Sequence, residues 1–141
     1  MARGGWVVEF HAECEKWAES LDQPDTEALL AAIRILRDFG PGLGRPLVDT
    51  ITSSQHANMK ELRPGSTGRT EIRLLFAFDM QRQAILLVGG DKSGNWSRWY
   101  ETNIPLADAR FSEHQAAFWA RRNQSVQARG ETSGTRRRRR R

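Results

Sequence analysis

Cysteine and histidine are scarce in this chain. Cys14 is the one cysteine among 141 residues. An intramolecular disulfide is therefore impossible, and Cys-rich zinc motifs are excluded. That usage suits a reducing cytosol. The three histidines, His11, His56 and His114, show no metal-ligand spacing. No apolar run approaches the roughly 20 residues a membrane-spanning helix needs. The opening MARGGWVVEFH lacks the long apolar core of a signal peptide. A phosphate loop is missing as well. Gly40-Pro41-Gly42-Leu43-Gly44 places proline where a cradle needs a free N–H, and no Gly-Lys-Ser/Thr follows. These absences point to a soluble, cytoplasmic protein that uses neither metal nor cofactor. Its length fits one core of ordinary size.

Positive charge is present, but unevenly. The net charge is +5, and the last six residues, Arg136 to Arg141, are all arginine. Without them, 16 of the 22 basic residues remain against 17 acidic ones, a formal −1. The basicity is thus a tail on a nearly neutral body. Clustered arginines repel one another, which predicts an unstructured segment over 123–141 able to attract any polyanion. The folded domain is expected over 1–122.

Periodicity places the elements. Trp6 to Phe10 is a short β-type run. Helix is predicted over His11–Leu21, with Cys14, Trp17, Ala18 and Leu21 at spacings of three and four. Asp25 or Thr26 can cap a second helix that carries Leu29, Leu30, Ile33 and Leu36 and stops at Gly40-Pro41-Gly42. From Leu43 to Ala57 the pattern weakens. Asn58–Arg63 alternates, with Met59, Glu61 and Arg63 on one side and Lys60 and Leu62 on the other. A turn at Pro64–Gly68 leads to strand Thr70–Asp79. Strand Gln83–Gly89 follows closely enough to make an antiparallel hairpin. A last helix opens at Ile104-Pro105 and ends near Arg122. There are no internal repeats. The fold class is α+β: a small, twisted, mainly antiparallel sheet with two N-terminal helices and a C-terminal helix packed on it.

Catalytic equipment of the usual kinds is sparse, and the cations are more informative. Lys60, Arg63, Arg69 and Arg73 fall on two strands that pair across the Pro64–Gly68 turn. Lys92 and Arg98 follow the next strand, so the six can line one concave face. Arg73 lies inside TEIRLLFAF, where an unpaired guanidinium would cost several kcal/mol. Glu71 or Glu61 can serve as its ion-pair partner; an anion is the other possibility. In LLVGGDKSGNWSRWYE, the glycines end the strand and the next turn carries Lys92 outward. Trp96, Trp99 and Tyr100 then have helical spacing. One or two of these rings can cover the core; beside cations, exposed ones make a surface on which RNA bases stack.

Two segments, MKELRPGSTGRTEIRLLFAFD and AILLVGGDKSGNWSRWYETNIPLADARFSEH, carry a family resemblance. The chain resembles the RelE/HigB-type toxins of bacterial toxin–antitoxin systems, in a phage-derived branch. Element order agrees over about residues 6–118, and the motifs are specific over 58–114. The resemblance implies a metal-independent endoribonuclease that cuts mRNA in the ribosomal decoding site. The RNA's own 2′-hydroxyl attacks the adjacent phosphate and leaves a 2′,3′-cyclic phosphate. It implies a helix-turn-helix antitoxin as partner, besides ribosome and mRNA. By position, Lys60 and Arg63 match the family's basic strand, Arg73 its central arginine and Lys92 its post-strand cation. Arg73, Lys92, Arg63 and Tyr100 are the catalytic candidates. Lys60, Arg69, Arg98, Trp96 and Trp99 are the RNA-binding ones. Where many members place a proton carrier, Tyr100, His114 and His56 all remain open here. The same fold includes ParE-like gyrase inhibitors, and a non-catalytic phage-derived binding protein is a further alternative.

Overall fold

The computed structural model describes residues 5–65 and 68–140. The expected turn at Pro64–Gly68 therefore lies partly outside the described residues, at Ser66 and Thr67, as does Arg141. In chain order the elements are β1 (Val7–Phe10), α1 (Ala12–Glu19), α2 (Gln23–Phe39), a 3-10 turn (Gly40–Gly42), β2 (Val48–Thr50), β3 (Met59–Leu62), β4 (Ile72–Phe78), β5 (Gln83–Asp91) and α3 (Trp96–Arg140). The class is α+β. One five-stranded sheet has the order β1-β5-β4-β3-β2. β1 runs parallel to β5, and every other neighbouring pair is antiparallel. Among the described residues no helix is long and apolar enough to cross a membrane.

Each face of the sheet has its own core. α1 and α2 cover one face, where Cys14, Leu29 and Leu36 meet Leu74, Phe76 and Leu86. The first part of α3 covers the other, where Ala107 and Phe111 meet Met59, Leu75 and Leu87. β3 and β4 feed both cores because successive side chains point to opposite faces. Burial holds the Cys14 thiol protonated, with its pKa pushed up to about 12, so this cysteine is a packing residue and not a nucleophile.

Helix termini follow side-chain capping chemistry. His11 caps α1, its Nδ1 accepting from the Glu13 N–H at 3.1 Å. The α2 cap is Asp22, not Asp25 or Thr26: its carboxylate accepts from the Asp25 N–H at 3.0 Å, and Pro24 occupies the first turn. Asp25 is buried and accepts from the Thr70 hydroxyl at 2.8 Å.

α3 departs from the sequence expectation at both ends. It starts at Trp96 rather than Ile104, because Asn95 caps it by accepting from the Arg98 N–H at 3.1 Å. Pro105 falls inside the helix, where a missing N–H costs roughly 3 kcal/mol. Burial of Ala107 and Phe111 on the sheet offsets that cost. At the other end the helix continues to Arg140, so residues 123–140 lie on helical backbone where an unstructured tail was expected. Arginine, the commonest residue in this stretch, is a good helix former. The chain divides into two compact units, Met1–Phe111 and Ser112–Arg141, in place of the expected boundary at 122.

Two local features tie the first unit together. Between Leu75–Val88 and Phe76–Leu86 the β4–β5 register shifts, so Leu87 has no cross-strand partner. Its carbonyl accepts instead from Arg110 Nη1 at 2.7 Å. Asp108, buried on α3, anchors the loop after β2. It accepts from the Ser54 hydroxyl and, at 3.0 Å, from the Gln55 N–H. Asp108→Ala leaves both donors without their acceptor; Ser54 is half-buried and Gln55 exposed, so the loss should be about 1 kcal/mol, that of an ordinary hydrogen bond. Urea melts should show that loss as a lower midpoint at unchanged slope. An unaltered midpoint would mean the loop does not depend on this carboxylate.

Candidate active site

A cleft of about 570 Å³ opens where the ends of β3 and β5, the loop after β2 and the first turns of α3 meet. The residues that give it character are Glu61, Arg63, Glu71, Lys92, Trp96 and Tyr100. Strand alternation sets the floor. Glu61 shares its face with Met59 and is fully buried. Arg63, just beyond the strand, donates from Nε to Glu61 Oε1 at 2.9 Å and from Nη2 to Asp49 Oδ2 at 3.1 Å. Burial works against the Arg63 charge, but the two carboxylates outweigh it and raise its pKa. Arg45 also reaches Asp49, at 3.0 Å. That hydrogen bond is the largest cause of a carboxyl pKa held below its ordinary value.

Lys92 is positioned by its backbone. Its N–H donates to the Glu71 carbonyl at 3.0 Å, while Asp91 Oδ1 accepts from the Glu71 and Ser93 N–H groups, each at 3.0 Å. Partial burial pushes the Asp91 pKa up, but these hydrogen bonds prevail and lower it. The Lys92 ammonium stands 5.9 Å above the centre of the Tyr100 ring, within cation–π range. Among the described residues it has no ion-pair partner. Arg63 spends its charge on two carboxylates; Lys92 has its charge to offer.

The aromatic residues divide by face. Gly90 points toward α3, and a Cβ there would collide with Trp99 Nε1. Glycine therefore lets Trp99 lie on the sheet, packed against the second core. Trp99 is thus a ring that covers the core, one of the two readings open to it from the sequence. Trp96 is 60% exposed and free to stack. Tyr100 lies between them, edge-on to Trp99 at 5.1 Å and to Trp96 at 6.3 Å. Burial, then the nearby Glu61 carboxylate, raise the Tyr100 pKa against the opposing pull of Arg73 and Arg63. The shift favours the protonated phenol, whose hydroxyl can donate a proton.

The six expected cations do not form one surface. Lys60 shares its sheet face with Leu62, opposite Glu61, and donates to Thr50 Oγ1 at 3.0 Å. Arg98 lines a separate depression with Asn95 and Glu101. Arg69 is exposed beyond the cleft lining. Arg73 is half-buried on the α3 side of β4, opposite Gly90. Among the described residues it pairs with neither Glu71 nor Glu61. Its Nη1 donates to the Ile72 carbonyl at 2.8 Å, and its Nε is buried without a partner.

Nor do the histidines furnish the cleft. The His56 ring packs edge-on to Phe111 at 5.0 Å, with Nε2 3.3 Å from the Asp108 carbonyl oxygen. His114 is not among the residues that line the cleft. Glu61 is the functional candidate the sequence did not single out. Its signal was the alternation that puts it beside Arg63 and behind Met59.

The order of the five-stranded sheet and the helices packed on its faces give the chain a RelE-like fold. A chain in the crystal structure of the archaeal RelE–RelB complex from Pyrococcus horikoshii OT3 shares the fold at TM-score 0.50 and 15% identity, over 63% of this chain and 97% of that one. Residues 16–112 match the phage-derived Gp49-like proteins, and the chain belongs to that family. HigB2 of Mycobacterium tuberculosis (strain ATCC 25618 / H37Rv) is 51% identical over 114 residues, 81% of this chain and 56% of HigB2. HigB3 of the same strain is 53% identical over 98 residues, 70% of this chain and 83% of HigB3. Both are described as candidate toxins. The chain thus spans little more than half the length of HigB2.

Proposed function

We propose that this protein is the toxin of a toxin–antitoxin pair and cuts mRNA on the ribosome without a metal ion. The observation that carries the proposal is the uncommitted Lys92 ammonium above the Tyr100 ring, in a cleft that also offers the exposed Trp96. Cation, phenol and open indole suit a phosphodiester with a base beside it. The 2′-hydroxyl attacks phosphorus and the 5′-oxygen leaves. Negative charge builds on the non-bridging oxygens, where Lys92 and Arg73 stabilise it. Tyr100 supplies a proton to the leaving oxygen. Arg63 orients the floor of the cleft, since its Nε and Nη2 donate to Glu61 and Asp49. The descriptions of HigB2 and HigB3 and the RelE-like fold support the toxin assignment. They also favour a partner antitoxin, here one with a helix-turn-helix.

Induced alone, the protein should arrest bacterial growth, and a co-expressed antitoxin should relieve the arrest. Primer extension should find cuts only in messages that ribosomes engage. Intact messages with double-strand DNA breaks would replace this proposal with gyrase poisoning. Normal growth despite soluble expression would remove the toxin altogether.

A further inference from the structure

The second unit carries an exposed aromatic ring beside unpaired cations. Residues 112–130 of α3 are helical throughout. Trp119, Arg122, Val126 and Arg129 follow spacings of three and four, which put them on one helix face. Trp119 is 43% exposed and Val126 52%, and both arginines are exposed. The Arg122 guanidinium stands 5.7 Å from the centre of the Trp119 ring, within cation–π range. Phe118 meets the same ring edge-on at 5.3 Å. Among the described residues neither arginine has an ion-pair partner.

We propose that this face is a second RNA site, where an unpaired base of the message stacks on Trp119 while Arg122 and Arg129 take neighbouring phosphates. Along the helix the face reads ring, cation, aliphatic, cation. A partner helix seated on it would bury both guanidiniums together with the apolar pair, and a buried charge is costly unless a carboxylate meets it. A second copy of the chain would bring the same arginines. Ser112–Arg141 holds nine of them against two glutamates, so two such units repel. Single-stranded nucleic acid supplies a flat ring and an anion in every nucleotide. Duplex RNA hides its base faces, which favours the unpaired message over the largely paired ribosomal RNA. The choice of message rests on the ribonuclease function proposed above; the stacking chemistry does not. Trp119 is not among the residues that line the cleft, so this site binds RNA and takes no part in bond cleavage.

The test is fluorescence anisotropy of a short labelled oligo(A) with the full chain, beside heparin, a polyanion without bases. Trp119→Ala should weaken oligo(A) binding about 5–150-fold, the worth of one base–aromatic stack. Its salt slope and its heparin binding should stay as in wild type. Trp119→Phe should recover most of the loss. Arg122→Ala should weaken both ligands and lower the oligo(A) salt slope by about 0.7. Alanine favours helix, so Trp119→Ala should keep the wild-type circular dichroism; if it does not, Trp119→Leu, apolar but without a ring, takes its place. On ribosomes, the Trp119 variant should lose more affinity for those carrying message than for vacant ones. Equal oligo(A) affinity in variant and wild type overturns the site, and so does an equal loss on heparin. A dimer that the substitution dissolves gives the face to a second copy and overturns it too. An equal loss on vacant ribosomes overturns the message as occupant. A wild type that binds oligo(A) through Trp119 but cuts no message supports the stacking site and brings down the ribonuclease proposal, so the two failures are distinct.

Discussion

Arg73→Ala and Lys92→Ala should each slow ribosome-dependent cleavage by about 10²–10³-fold, the usual cost of removing one oriented group from a developing charge. The two differ in what they touch in the resting protein. Lys92 makes no ion pair among the described residues, so its loss should leave the melting temperature unchanged. Among the described residues Arg73 Nε has no partner, and its charge is partly withdrawn from water. Truncation relieves both but removes stem packing, and these effects oppose each other. Arg73→Met keeps the stem and drops the charge, so it should melt like wild type while cutting as slowly as Arg73→Ala. Lys92→Arg should recover part of the rate. Toxicity, single-turnover rates and thermal melts together check the pair. Full rates in both alanine variants would remove the proposed phosphate site. A collapse of Arg73→Met would make the guanidinium structural.

Legibility in the sequence depended on how strongly each element repeats its pattern. The β4–β5 hairpin and α2 were plain, because apolar runs and a leucine stripe of ordinary length leave little choice of conformation. β2 is three residues long at a sheet edge, too short to show a period. No local signal marks β1 as a parallel partner of β5, since that pairing joins distant parts of the chain. The α3 start is half visible: Trp96, Trp99 and Tyr100 have helical spacing, but Ile104-Pro105 is a more conspicuous start signal than the Asn95 cap.

For the cleft, Lys92 was readable because a glycine pair and an aspartate turn precede it. Lys60 was placed with the other cations although the alternation that groups it with Leu62 already separated it from Glu61. Grouping by charge overrode grouping by face. Gly90 could have sorted the tryptophans, since a strand residue without a side chain invites a ring onto the sheet. The place of Glu61 at the cleft floor was hidden, because its burial is a property of the assembled sheet.

Deleting Arg136–Arg141 should weaken ribosome binding strongly and leave the chemistry intact. Ser112–Arg141 holds nine arginines against two glutamates, so this unit carries +7 while the rest of the chain carries −2. The cleft-bearing unit is therefore unable to draw itself to RNA by net charge, and long-range attraction falls to the arginine-rich end. Every phosphate that the arginines no longer neutralise should lower the slope of log K against log salt by about 0.7–0.9. With six phosphates neutralised, the affinity difference between 50 and 200 mM salt would be on the order of 10³-fold. A protein ending at Thr135 should thus cut at the same positions, because the proposed chemistry assigns no role to a residue after it, but should need far more enzyme at physiological salt. Salt titrations of ribosome binding and primer-extension maps of the two forms provide the comparison. A changed cleavage map would mean that the arginines position the message. An unchanged slope would mean that they do not touch RNA.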